Sequence, residues 1–320
     1  MSAARALRIG TRASALALWQ ARQVAALIAA QPDAPPVELV HIKTSGDAQT
    51  DVPLWQMGGR AFFTREIDRA LLEGTVDVAV HSLKDLSTQI ESGLTLAATL
   101  ARADPRDALL SGSGAPLRQL PRGARIGTSS LRRRAFIARW RPDATLLELR
   151  GNVPTRIERL QRGDYDAIVV AAAGLARLGL ERHVSEYLSP EDFPPAVSQG
   201  VIGVCAREAD TATLHWLAAL DDHDARLAAS AERALLKRLE GGCQVPLGAL
   251  ATLRDGTLTL QATVCALDGA RHLSARGAAP AAASAAEALG IRVAEELLSR
   301  GAGDLISHER DSRAPAVEEP

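Results

Sequence analysis

The residues best suited to chemistry lie where predicted strands run into predicted helices. Thr11-Arg12-Ala13-Ser14 and Thr128-Ser129-Ser130-Leu131-Arg132-Arg133-Arg134 both occupy such turns. A helix start offers unpaired N–H groups and the positive end of a dipole, so hydroxyls and guanidinium groups placed there suit an anion. Taken singly, Ser14 and Ser130 read equally well as helix caps, and a run of three arginines as partly a solvated face. Arg150 closes a predicted strand and Arg156 falls in the first turn of the next helix, where a cation opposes the dipole unless an anion compensates. Arg177 is placed after a strand and a turn at Gly174. Several guanidinium groups converging on one cleft call for a ligand with many carboxylates or phosphates.

A second group is His81-Ser82-Leu83-Lys84-Asp85, directly after an apolar strand. Asp85 beside Lys84 reads as an acid/base, as the counter-charge to a cationic intermediate, or as half of a surface pair worth about 0–1 kcal/mol. Cys243 lies in Gly241-Gly242-Cys243-Gln244-Val245-Pro246, just past a predicted helix. A helix C-terminus does not favour a thiolate, so position alone leaves a packed free cysteine, although the two glycines permit close approach of something bulky. Cys265 alternates into a strand and reads as core, while Cys205 is open. Three cysteines without a CxxC pair point to a reducing compartment rather than a disulfide framework, and no metal site is expected.

The elements that must position these groups alternate between strand and helix through the first two-thirds of the chain, which predicts α/β lobes with mostly parallel sheets. Strands are expected at Val37–Lys43, Val76–His81, Leu94–Leu100, Ala124–Gly127, Thr145–Leu149 and Ala167–Ala171, and helices at Ser14–Ala30, Phe62–Glu73, Leu131–Trp140 and Pro154–Arg162. Arg8-Ile9-Gly10-Thr11 recurs as Arg125-Ile126-Gly127-Thr128, and the segment from Glu73 to Val80 resembles that from Arg162 to Val169. Both echoes keep their order, so two related lobes are expected: residues 1–100 with 200–220, and residues 101–199. Crossovers fall near Pro105 and near Pro190, Pro194 and Pro195. Residues 221–308 read as a smaller α+β domain. Its elements are a helix from Asp224 to Leu239, strands at Ala249–Leu253 and Leu258–Leu267 around Asp255-Gly256, and a helix from Ala281 to Ser299. Residues 309–320 read as a disordered tail.

Composition sets outer limits. The 320 residues carry 37 basic and 38 acidic side chains, a formal net charge of −1 that argues against general binding to nucleic acid or acidic membranes. Aromatic residues at 3% leave little for stacking on single strands. Only Lys43, Lys84 and Lys237 are lysines, so 34 basic residues are arginines. A GC-rich coding bias and a need for bidentate anion recognition both account for that. No apolar run reaches the roughly 18 residues of a membrane span. The Arg-rich, acid-free start before Asp33 reads as a strand entering a helix rather than an import signal, which gives a cytoplasmic expectation.

The ordered segments RIGTRASALALWQA from Arg8, VDVAVHSLKD from Val76, DPRDALLS from Asp104 and GTSSLRRRA from Gly127 closely resemble the porphobilinogen deaminase (hydroxymethylbilane synthase) family. LRGNVPTR from Leu149, YDAIVVAAAGLARLGL from Tyr165 and LEGGCQVPLGA from Leu239 extend the resemblance over essentially the whole chain. It implies two periplasmic-binding-protein-like (type II) lobes around a cleft, with a C-terminal α+β domain. The implied activity is a transferase's: four porphobilinogen units are joined head to tail into hydroxymethylbilane, releasing four ammonia molecules, in tetrapyrrole (haem-type) synthesis. The implied cofactor is a covalent dipyrromethane, held by a thioether at Cys243. Asp85 corresponds to the family's catalytic carboxylate, and Arg12, Arg132, Arg133, Arg150, Arg156 and Arg177 to ligands for the acetate and propionate groups. Ser14, Ser82, Lys84, Thr128 and Ser130 are implied to assist, Ser45–Gly59 to form a mobile lid, and the protein to be a monomer acting on a small molecule.

The chain departs from the family at three places. Gly58-Gly59-Arg60-Ala61-Phe62-Phe63 replaces a GGKGLF-like run, Leu86-Ser87 replaces Val-Pro, and Cys205 replaces a common glutamate. The runner-up reading is a binding protein for a polyanionic small molecule without turnover, and the lid and Cys205 changes add an inactive paralogue as a third.

Overall fold

The computed structural model describes residues 5–44, 64–239 and 245–311. Strands β1 (Leu7–Thr11), β2 (Val37–His41), β3 (Val78–Ser82), β4 (Leu94–Thr99) and β10 (Ile202–Arg207) form one sheet, in the order β2-β1-β3-β10-β4. Strands β5 (Asp107–Ser111), β6 (Arg125–Gly127), β7 (Thr145–Leu147), β8 (Ala167–Ala171) and β9 (Glu186–Tyr187) form a second, in the order β7-β6-β8-β5-β9. The two orders are the same arrangement used twice. Helices α1 (Ala15–Ala29), α2 (Arg65–Leu72) and α6 (Thr211–Ala218) cover the first sheet, and α3 (Leu131–Trp140), α4 (Val153–Gln161) and α5 (Ala172–Leu178) belong to the second lobe. Strands β3 and β8 are apolar without alternation because both of their faces are covered.

In each sheet two neighbouring pairs are parallel and two antiparallel, which corrects the expectation of mostly parallel sheets. The reason is strand exchange. The chain leaves the first lobe after β4, starts the second with β5, and returns as β10 between β3 and β4, so β5 and β10 run against their neighbours.

The sequence echo is also an echo of bonding. Asp77 Oδ2 accepts from the Arg8 backbone N–H at 3.0 Å, and the Arg8 guanidinium reaches Asp77 and the Gly74 carbonyl. In the second lobe, Asp166 Oδ2 accepts from the Arg125 N–H at 2.7 Å, and Arg125 reaches Asp166 and the Gly163 carbonyl. Each arginine therefore clamps the loop before the central strand to the strand beside it. Gly74 and Gly163 both turn with positive φ, at 69° and 81°.

The third unit packs the antiparallel sheet β11 (Leu247–Arg254), β12 (Thr257–Cys265) and β13 (His272–Pro280) against α7 (His223–Arg238), α8 (Ala283–Ser299) and α9 (Ala302–Asp311). Leu227, Ala231 and Leu235 meet Leu289, Val293 and Leu297 in its core. Gly290 lets α7 and α8 close up, since a Cβ there would lie 2.2 Å from the Ala231 carbonyl oxygen. Strands β5, β9 and β13 and helices α5, α6 and α9 were not anticipated. Helix α9 carries Glu309–Asp311, which the sequence placed in a tail, because Leu305 and Ile306 anchor it in this core. Among the described residues, no helix is long and apolar enough to cross a membrane.

Candidate functional site

The strand-to-helix turns carry the hydroxyls in the same way in both lobes. Ser14 caps α1 by accepting from the Ala17 N–H, and Ser130 caps α3 by accepting from the Arg133 N–H, each at 3.4 Å. Thr11 and Thr128 are fully buried beneath these turns, the Thr128 hydroxyl accepting from the Ser130 N–H at 3.2 Å. Helices α1, α3 and α4 have no acidic residue in their first turns, so nothing in them neutralises the dipole locally. Asn152 caps α4 after Gly151, whose φ is 104°.

Arginines gather above these helix starts. Arg156 donates to the Gly151 carbonyl at 2.8 Å. Burial, and then the like charges of Arg133 and Arg150, push its pKa down to about 10. Arg12 and Arg150 are half-buried. Arg177 is not after a turn as expected: Ala172–Leu178 folds as α5 directly from β8, with Gly174 inside the helix. Alanine and leucine favour that continuation. Its guanidinium donates to the Gly200 carbonyl at 2.7 Å, stands 5.8 Å from the Trp19 ring centroid, and is pushed down to about 10 by burial.

Arg132 and Arg133 are more committed than the sequence suggested. Asp107, fully buried, accepts from Arg132 Nη2 on one oxygen and Arg133 Nη2 on the other, both at 2.7 Å. Burial by itself would raise the Asp107 pKa. The two arginines and hydrogen bonds from Arg133 and Gln199 outweigh it and hold the carboxyl well below the usual range. Arg132 Nη1 also donates to the Pro194 carbonyl at 2.7 Å, while its Nε is buried with no partner among the described residues. That carbonyl lies 2.4 Å from where a Cβ on Gly248 would stand, so the third unit begins β11 directly against the arginine's anchor. Two cations face one carboxylate, leaving the cluster with an excess positive charge.

On the first-lobe side, Ser82 accepts from Gln20 Nε2 at 2.8 Å and leads into a 3-10 turn, Leu83–Asp85. Lys84 Nζ donates to Gln199 Oε1 at 3.2 Å, and burial pushes its pKa down to about 8 against the pull of Asp85. Asp85 is exposed and acts electrostatically on Lys84 beside it and on Arg156 of the second lobe. His81 is buried behind this turn, its Nε2 3.9 Å from Asp68 Oδ1. Burial, then Arg12, pushes its pKa down to about 4, which keeps it neutral. Cys243, Arg60, Ala61 and the Ser45–Gly59 segment lie outside the described residues. Cys205 and Cys265 are buried free thiols, pushed up by burial to about 12 and about 11, and so carry no nucleophilic role. Among the described residues no cluster of His, Cys, Asp and Glu could hold a metal. Asp107, Gln199 and Gln20 were not singled out from sequence; Asp107 and Gln20 stood in quoted motifs without a role.

Residues 7–215 match the family model described as "Porphobilinogen deaminase, dipyromethane cofactor binding domain", and residues 226–299 match "Porphobilinogen deaminase, C-terminal domain". A porphobilinogen deaminase of Syntrophotalea carbinolica is 48% identical over 302 residues, covering 94% of this chain and 95% of that one. The chain belongs to the porphobilinogen deaminase family. Its first two lobes correspond to the family's cofactor-binding region. Solved structures with related chain paths include a nutrient-binding protein from Burkholderia cenocepacia bound to methionine, with 15% identity, 66% of this chain and 89% of that one, and a TM-score of 0.42. The methionine-binding protein MetQ gives 12%, 67%, 89% and 0.43. The site fits the family's cofactor on structural grounds. Surplus cations, a buried Arg132 Nε without a described partner, and uncompensated helix starts all suit a group bearing several carboxylates.

Proposed function

We propose that this protein joins porphobilinogen units head to tail into hydroxymethylbilane with loss of ammonia, as a transferase of tetrapyrrole synthesis. Bound dipyrromethane supplies the pyrrole carbon to which the first unit is attached, and Cys243 is the residue that holds it by a thioether. Arg12, Arg132, Arg133, Arg150, Arg156 and Arg177, with Ser14, Ser82, Lys84, Thr128 and Ser130, are proposed to hold the acetate and propionate groups of the cofactor and of the incoming unit. The observation that carries the reading is Asp85, an exposed carboxylate on the first lobe within electrostatic reach of Arg156 on the second. When the amino group of the aminomethyl side chain leaves as ammonia, its methylene stays on the pyrrole, which becomes a cationic electrophile. A carboxylate that accepts a hydrogen bond from the ring N–H stabilises that charge and then takes up the proton released on coupling. Strong electrophiles of this kind attach to a thiol without unusual activation. The protein is proposed to work as a cytoplasmic monomer, without nucleic acid or membrane.

Intact-mass measurement with peptide mapping tests the attachment. Protein produced with adequate porphobilinogen should carry a dipyrromethane adduct on Cys243, and an unmodified Cys243 under those conditions contradicts the assignment. Asp85→Asn should keep its fold and its adduct while ammonia release falls by about a hundredfold or more, the scale for loss of a charge-stabilising group. Near-normal release would remove Asp85 from the reaction, whereas absence of ammonia release from the wild-type protein would favour a polyanion-binding protein without turnover.

A further inference from the structure

Gln199 has no solvent exposure and lies on the second crossover, between the two lobes. Its Nε2 donates to the Pro105 carbonyl at 2.8 Å, to the Arg106 carbonyl at 3.3 Å and to Asp107 Oδ1 at 3.0 Å. Three acceptors on one side fix the orientation of the amide. Oε1 must then point the other way, and there it accepts from Lys84 Nζ. We infer that Gln199 is a positioning residue of this site. One amide joins the first lobe to the second and holds the Lys84 ammonium in register with the Asp107–Arg132–Arg133 cluster. The inference rests on the reading of Lys84 as a residue of the site.

The argument is electrostatic as well as geometric. Among the described residues, the charged groups acting on Lys84 include Asp85 on its own turn, Asp107 on β5, and Arg132 and Arg133 on α3. The two arginines and burial favour the neutral amine, while the two carboxylates favour the cation. A neutral amide oxygen aimed at Nζ adds a hydrogen bond to the charged form without adding charge beside Asp107. Glutamate at this position would also keep an acceptor toward Lys84, but it would set oxygens against Asp107 and two carbonyls. Methionine would fill the space and supply no acceptor.

Lys43 and Lys237, the other two lysines, are both exposed. Competitive acetylation across pH 6.5–10, read by peptide mass mapping of the full-length protein, therefore reports the Lys84 titration against two internal references. In Gln199→Met the Lys84 midpoint should fall by about one pH unit, the scale of a lost hydrogen bond to a charged group. In Gln199→Glu it should rise. Ammonia release, normalised to wild type so that substrate titration cancels, should lose its alkaline limb at lower pH in the first variant and at higher pH in the second. A residue that only supports packing would not move the two in opposite directions. If neither variant moves the Lys84 midpoint, the positioning role is overturned. Lys84→Met separates this from the underlying reading. Loss of ammonia release in it, beside unmoved midpoints in the Gln199 variants, leaves Lys84 in the site and removes Gln199. Wild-type release in it removes Lys84 and the inference with it.

Discussion

Asp107→Asn should lower the free energy of unfolding by about 3–5 kcal/mol, the cost of leaving a buried ion without its partner. The substitution keeps the shape, so the loss is one of charge. Arg132 and Arg133 are almost without exposure, and each places its Nη2 2.7 Å from a different Asp107 oxygen. An amide can accept from one guanidinium but must turn its NH2 toward the other. The pH dependence follows from the sign of the shift. Asp107 is depressed in the folded state, so its contribution is fully present above the unfolded carboxyl pKa of about 4 and fades as pH falls below it. Urea unfolding at pH 7 should show the full difference between wild type and variant, and the two should converge below pH 4. A difference under about 1 kcal/mol at pH 7 would mean that water or a rearranged arginine replaces the carboxylate.

Glu232→Gln should cost a similar amount, about 3–5 kcal/mol, and lower the melting temperature by roughly 5–10 °C. Glu232 sits on α7 with no exposure and binds three segments at once. Oε1 accepts from Arg102 Nη1 at 2.6 Å and the Ala251 N–H at 2.7 Å, and Oε2 from the Ser198 N–H at 2.6 Å and Arg102 Nη2 at 3.3 Å. Every neighbour is a donor, so a side-chain NH2 must face at least one of them. The Ser198 bond also holds a non-glycine residue at φ 61°, a conformation that needs outside support. Limited proteolysis should therefore cut the variant sooner near residues 100–106 and 195–200 than wild type. A melting temperature within about 2 °C of wild type and an unchanged digest would remove Glu232 as the tie between crossovers and third unit.

Much of this was legible before any coordinates. Local periodicity and capping residues located α1, α3, α4 and most strands, because short-range physics decides them. Ser14, Ser130 and Asn152 sit at the helix starts their residue types suggested. Strand β13 was missed because Arg276, Gly277 and Pro280 are poor strand formers, and its pairing with β12 compensates. Strand β5 was hidden behind Pro105, in what read as a crossover. In the site, guanidinium groups at strand ends were visible from their types and from the repeat. Their counter-ion was not: Asp107 lies 25 residues before Arg132, and Gln199 lies 92 residues after Asp107. Nothing in local sequence couples them, so Arg132 and Arg133 looked freer for a ligand than they are.

The exchange of β5 and β10 between lobes has a consequence for synthesis on the ribosome. Strand β3 occupies the middle of the first sheet, yet its partner β10 begins at Ile202, about 120 residues after β3 ends at Ser82. At about 5–20 residues per second, roughly 6–24 s pass before that partner is made. Throughout that interval the emerging half-sheet presents Val78-Ala79-Val80, apolar and unpaired along one edge, to its surroundings. The first lobe is thus the first to be translated but among the last to be completed, and the nascent chain is most prone to aggregate while the second lobe is still being translated.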